Sequence, residues 1–271
     1  MVDKRDPRAR VERINQLPAS ADVVNRVRAV TDREHHSASE LADEIARDQA
    51  LAGRVLKVVN SGFFAFRQPI TTITHAMVLL GTDIVKTLVV AAPVLELFGT
   101  SRGLWQHSLA TARTAGTLAG ILGYDEPDEV GLAGLFHDVG KVVLANESPV
   151  AAREVRAVVR GRDMLVVEAE QQVLGFTHAD IGSWLLQRWA IPPRLVAPVA
   201  HHHSFDPSRE HADRTAIVHV SDIIVRARGI GDAGDSRLPA LDPRAWELLK
   251  LNMDHMRALL QDLDVLEAEG E

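Results

Sequence analysis

Cysteine is absent from the 271 residues. Disulfides and thiolate metal sites are therefore excluded, and any bound metal must use nitrogen and oxygen donors. Aromatic residues make up 4% of the chain, with one tyrosine, which leaves little for a base-stacking surface. Positive charge is also in deficit. The formal net charge is −7, whereas a broad nucleic-acid interface needs a basic patch. No apolar run approaches the length of a membrane span. The start, Met1-Val2-Asp3-Lys4-Arg5-Asp6-Pro7, lacks the apolar segment of a signal peptide. Neither nucleic acid nor a membrane is an expected partner, and the expected location is the cytoplasm. Strand signals are scarce as well.

Hydrophobic residues at 46% are enough for a substantial core, and they recur at helical spacing. The pattern predicts an all-α fold. Ser39-Glu40 reads as a helix start feeding an apolar series of Leu41, Ile45, Leu51, Val55 and Val58, with a stop at Asn60-Ser61-Gly62. At such a terminus Asn60 and Ser61 are read as caps. Pro69 to Gly81 holds the next helix and Asp83 caps another. The best internal boundary is Gly99-Thr100-Ser101-Arg102-Gly103, which separates a helical subdomain over 12–98 from a second over 103–225. Beyond it, helices are expected over Trp105–Leu122, over Glu129–Ala145 and from Pro149 to about Arg160. Others are expected from Asp163 to Leu174, from near His178 to Trp189, and around Asp222. In the remainder, 226–271, the Gly-, Asp- and Pro-rich run from Gly229 to Pro239 reads as mobile. Trp246–Leu266 reads as one amphipathic helix, whose apolar stripe is expected to bury against its own domain.

The chemistry concentrates in Leu135-Phe136-His137-Asp138-Val139-Gly140-Lys141. A histidine beside an aspartate pairs a neutral nitrogen donor with an anionic oxygen donor, a combination that Mn, Fe or Zn accepts. A buried His–Asp hydrogen bond is the plainer reading of the pair alone. Further donors lie in helical stretches along the chain: His107, His178, the triplet His201-His202-His203, and Asp222. Donors brought in from several helices are how helical folds build two-metal sites. Lys141 is one helical turn from Asp138, so it can reach a bound phosphate or form an ordinary ion pair with the carboxylate. His35, His36, His75, His211, His219 and His255 match no such pattern, and surface or capping roles are their default.

The order His, His-Asp, His, His-His, Asp resembles the HD superfamily of metal-dependent phosphohydrolases. More narrowly, the chain resembles the HDOD, or HD-related output, domain of bacterial signalling proteins. The N-terminal half supports this through Leu17-Pro18 and through Asp48-Gln49-Ala50-Leu51 leading to Asn60-Ser61. That stretch is similar to a DPxLxxxxLxxxNS pattern, with Gln49 where proline is usual. Pro69-Ile70 to His75-Ala76 and Leu79-Leu80-Gly81 also fit. The resemblance spans roughly residues 12–225.

It implies a helical subdomain packed on an HD-like bundle, with His107, His137, Asp138, His178, His202, His203 and Asp222 as ligands of up to two divalent ions. His201 falls one place early in the triplet. Two departures bear on activity. Related cyclic di-GMP phosphodiesterases carry a HHExxDGxGYP loop, whereas this chain reads His202-His203-Ser204-Phe205-Asp206-Pro207-Ser208. The three-metal enzymes place a glutamate where Gly103 stands. Two functions from different classes follow. One is a signalling output module acting through protein partners, read by the N-terminal subdomain. The other is a phosphohydrolase acting on a phosphoester, with Asp138 and Lys141 as its catalytic groups.

Overall fold

The computed structural model describes residues 38–64, 66, 68–98 and 101–269, and within them every regular element is a helix. The chain divides into two compact units, one within residues 15–97 and one within residues 98–271. Leu17-Pro18, His35 and His36 lie outside the described residues.

The first unit holds α1 (Ala38–Ala46), α2 (Gln49–Val59), α3 (Ile73–Leu80) and α4 (Thr82–Leu97). Its core is the predicted apolar series: Leu41, Ile45, Leu51 and Val55 are almost fully buried. That series belongs to two helices, not one. Asp48 is extended, and its carboxylate accepts from the Leu51 N–H at 3.0 Å, so it caps a new helix. Asn60 caps α2, as expected of it. Its amide group also donates to the Ile70 carbonyl at 2.8 Å and accepts from the Ile70 N–H at 2.7 Å. One side chain thus fastens the turn after α2 to the strand-like approach to α3.

The second unit holds α5 (Arg102–Ile121), α6 (Pro127–Phe136), α7 (Val139–Glu147), α8 (Pro149–Arg162), α9 (Val166–Leu174), α10 (His178–Arg188), α11 (Pro193–His201), α12 (Ala212–Ala227), α13 (Pro243–Leu248) and α14 (Met253–Glu269). The long α5 is its axis, with α6, α12 and α14 packed along it. Leu132, Leu135 and Phe136 of α6 are fully buried, each contributing roughly 1.5–3 kcal/mol of transfer free energy.

Four local expectations are corrected here. The predicted helix over Glu129–Ala145 is broken at His137-Asp138, so the pair sits in a joint between α6 and α7. Asp163 does not start a helix. It ends α8 in a left-handed conformation (φ 51°), and α9 begins at Val166. The C-terminal segment is two helices. Lys250 turns left-handed at φ 51°, and the Asn252 carbonyl oxygen of the side chain accepts from the Asp254 and His255 N–H groups, starting α14 anew. The stripe on α14 does pack on its own unit: Leu259 and Leu263 are fully buried, and Asp262 pairs with Arg113 and Thr117 of α5.

The last correction concerns the run read as mobile. Residues 229–242 form a strap fixed at several points. The Asp232 N–H donates to the Gly103 carbonyl at 2.9 Å. Asp235 pairs with the buried Arg226 and accepts from the Val166 N–H at 2.8 Å. Lys141 donates to the Ala233 carbonyl at 2.9 Å, and the Asp242 N–H donates to His219. Gly231, at φ 74°, lies so near α5 that a Cβ there would stand 2.4 Å from the His107 nitrogen. Only glycine fits that approach.

Candidate metal centre

The seven expected ligand residues meet in the second unit. His107 comes from α5, His137 and Asp138 from the α6–α7 joint, and His178 from the first turn of α10. His202 and His203 follow the end of α11, and Asp222 faces inward from α12. All but His203 are at most 2% exposed, and His203 is half-buried. His201 points elsewhere, its ring accepting from Arg209 at 3.2 Å.

The donors form two groups that share Asp138: His107, His137 and Asp138, and Asp138, His178, His202 and His203. Asp138 Oδ2 lies 3.3 Å from His137 Nε2 and 3.6 Å from His107 Nε2. Its Oδ1 lies 3.2 Å from His178 Nε2 and 3.9 Å from His202 Nε2. Asp222 Oδ1 adds a second oxygen to the first group, 3.0 Å from His107 Nε2 and 3.8 Å from His137 Nε2.

The tautomers follow from the outer partners. His137 Nδ1 donates to the Gly134 carbonyl at 2.7 Å and His202 Nδ1 donates to the Val199 carbonyl at 2.9 Å. Carbonyls only accept, so in the neutral rings each Nε2 carries a lone pair. These two nitrogens converge with the Nε2 atoms of three further rings. His107 Nε2 stands 3.2 Å from His137 Nε2, and His178 Nε2 stands 3.1 Å from His203 Nε2 and 3.4 Å from His202 Nε2. Asp138 Oδ1 and Asp222 Oδ1 are buried with no donor in hydrogen-bonding geometry. Converging imidazole nitrogens beside orphaned carboxylate oxygens are the donor set a divalent cation satisfies. The residues therefore fit metal at both groups, with Asp138 able to serve the two.

Electrostatics agree. Burial by itself would raise Asp138, but the close approach of His137, Lys141 and His178 holds it well below the usual carboxylate range. Asp222 is likewise held low against burial by the adjacent His107 and the other surrounding histidines. Burial pushes His202 and His203 well below the ordinary histidine range, and neighbouring histidines push the same way. Burial lowers His178, but the Glu170 and Asp138 carboxylates together leave it raised.

Two residues here escaped sequence reasoning. Glu170 of α9 is 1% exposed and accepts from both the His178 N–H (2.7 Å) and Nδ1 (2.6 Å). The one signal was a carboxylate one turn after Val166 on the apolar face of α9. His219, expected at the surface or in a cap, is instead buried. Its Nδ1 donates to the His202 carbonyl at 2.7 Å and its Nε2 accepts from the Asp242 N–H at 3.0 Å. It holds the ligand-bearing turn and the end of the strap together. Its place on α12, three residues before Asp222, was the only hint. Lys141 forms the ion pair rather than standing free: its Nζ lies 2.7 Å from Asp138 Oδ2.

Fold and site define an all-helical domain with a buried histidine–aspartate centre suited to divalent cations. The chain belongs to the HDOD domain family, whose model matches residues 17–205. Asp222 lies beyond that match. Among curated proteins it is similar to an uncharacterized protein of Treponema pallidum, 25% identical over 208 residues, which covers 73% of this chain and 40% of that protein. It is also 28% identical over 128 residues to Ribonuclease Y of Deinococcus radiodurans, covering 47% of this chain and 17% of the enzyme. The chain thus spans well under half the length of these curated relatives.

Among solved structures, an HDOD domain protein of unknown function from Geobacter sulfurreducens matches with TM-score 0.70 and 25% identity, over 97% of this chain and 96% of that one. A Shewanella amazonensis protein provisionally named a phosphohydrolase matches with TM-score 0.67 and 22% identity, over 93% and 92%. A Marinobacter aquaeolei protein provisionally named a signal transduction protein matches with TM-score 0.70 and 20% identity, over 97% and 63%. The last two bear on the fold alone. Among the described residues no helix is long and apolar enough to cross a membrane.

Proposed function

We propose that this chain is a regulatory output module of bacterial signal transduction, acting through protein partners, with a His/Asp centre that holds divalent metal to stabilise the fold. One observation carries the reading: the centre is closed. All its candidate donors but the half-buried His203 are buried, and the strap over 229–242 is bonded to α5, α7, α9 and α12. The lysine that would meet a phosphate is committed to Asp138 and the Ala233 carbonyl. Partner recognition is assigned to residues 17–98. That unit carries none of the ligand residues, and on α3 it leaves Val78 and Leu79 exposed at 77% and 45%.

The second reading, a phosphohydrolase, has one observation in its favour: two donor groups share Asp138. Two bound divalent ions would supply Lewis-acid activation of water and of a phosphoryl oxygen. On that reading Asp138 orients both groups and Lys141, once freed from the strap, offsets charge on the phosphoryl group. A Mn-loaded sample given a generic phosphodiester separates the two. The regulatory reading expects bound metal without turnover. Turnover that disappears in both His137→Ala and Asp138→Ala would establish the enzyme instead.

A further inference from the structure

We propose that Lys141 is a tethered internal cation which closes the His107/His137 position and ties down the strap with the same ammonium group, so that binding of a divalent ion there and release of the strap are one event. The inference rests on the metal reading of the site and adds to it that the two positions load unequally.

The geometry divides Asp138 between two uses. Its Oδ1 has no hydrogen-bond donor and faces His178 and His202, with His203 Nε2 against His178. That position is ready for an ion, and Glu170 fixes the orientation of His178 from behind. The other oxygen, Oδ2, faces His107 and His137 but already holds the Lys141 ammonium at 2.7 Å. An ion bound to Oδ2 at about 2.1 Å would stand at most about 5 Å from that ammonium. Like charges so close in a buried site repel strongly. The first ion therefore enters at His178/His202/His203, and a second must displace Lys141.

Displacement reaches the strap because Lys141 has a second bond. Its Nζ donates to the Ala233 carbonyl at 2.9 Å, between the anchors at Asp232 and Asp235. A pocket of about 210 Å³ is lined mostly by this stretch itself, with His107 and Arg226 at its border. Losing the strap's central tie would loosen Ala233 and Gly234, between the Asp232–Gly103 bond on one side and the buried Arg226–Asp235 pair on the other.

The test titrates the intact chain with Mn alone. It follows metal per chain by mass spectrometry and protection of the 229–237 amides by hydrogen exchange. The wild type is expected to take one equivalent with the strap still protected. A second, at least about tenfold weaker, should coincide with loss of protection. Lys141→Met keeps the length and removes the charge. It should tighten the second equivalent at least about tenfold and leave the strap unprotected without metal. If that variant does not fold, the wild-type exchange data decide alone, since strap protection unchanged at two equivalents overturns the proposal. Two equally tight equivalents in the wild type, with Lys141→Met unchanged, overturn this inference but leave the metal reading standing. No binding by either protein overturns both.

Discussion

Replacing Gly140 by alanine should separate the two halves of the candidate metal centre without replacing any candidate ligand. Gly140 is in the first turn of α7, two residues after Asp138. It faces the first turn of α10 so closely that a Cβ would lie 1.9 Å from the His178 carbonyl oxygen, 2.7 Å from its carbonyl carbon and 3.0 Å from the Gly182 nitrogen. All three obstacles are backbone, so no rotamer change relieves them. Reaching ordinary contact demands about 1.5 Å of separation between the helices. Asp138 Oδ1 and His178 Nε2, now 3.2 Å apart, ride on those two helices, and functional constellations tolerate displacements of only about 0.5 Å. Metal affinity at the His178/His202/His203 position should fall at least 10- to 100-fold, the loss typical when a ligand's support is disturbed. Overpacking of this severity should also cost about 3 kcal/mol, or roughly 6–12 °C in Tm for a unit of this size. Metal content by mass spectrometry and a thermal melt read both effects. Gly120→Ala is the control. Gly120 lies exposed on α5, where an alanine Cβ would meet nothing within 4 Å, and alanine there should gain up to about 1 kcal/mol. A Gly140→Ala protein that melts like its parent and keeps its metal would refute the close-approach argument.

Glu170→Gln should keep the fold but weaken metal binding about 10- to 100-fold, because the neutral amide no longer supports the raised His178. Isothermal titration with Zn checks this, and unchanged affinity would reduce Glu170 to a packing residue. In metal-free protein the depressed His202 and His203 leave the unfolded chain binding more protons below its ordinary histidine pKa of about 6.5. Their contribution is fully present above that pH and is lost as pH falls, at roughly 2.7 kcal/mol per pH unit for the pair at most. His178, raised in the fold, acts oppositely and only above about pH 6.5, so it does not mask the acid limb. Urea denaturation between about pH 6.5 and 5 should show the fall, and a flat profile would mean these rings are not buried neutral.

How much could be read from residue order differs by element. The all-α class was legible because apolar residues at 3.6-residue spacing need only one chain to be seen. The histidines and aspartates that converge in the second unit were legible as candidate ligands through the resemblance of their order and spacing to a known family. Element breaks were harder. The joint at His137-Asp138, the cap at Asp48 and the left-handed Lys250 interrupt apolar patterns that continue across them, so periodicity runs straight through. The run 229–242 looked mobile because glycine, aspartate and proline are loop formers. Its order comes from bonds to Gly103, Lys141, Val166 and His219, which no local pattern encodes.

The sequence by itself determined the chemistry on offer: no thiolate, a surplus of acidic charge, and histidines and aspartates spaced along amphipathic helices. Tertiary structure alone decided how those donors are shared. Glu170 and His219 became buried supports because α9 folds back on the start of α10 and α12 packs against the turn after α11. Asp138 came to face two donor groups, and Lys141 came to stand between one of them and the strap. A donor's identity belongs to its residue. Its partners, protonation and access depend on distances of a few ångströms between segments up to about a hundred residues apart, and those distances exist only in the folded chain.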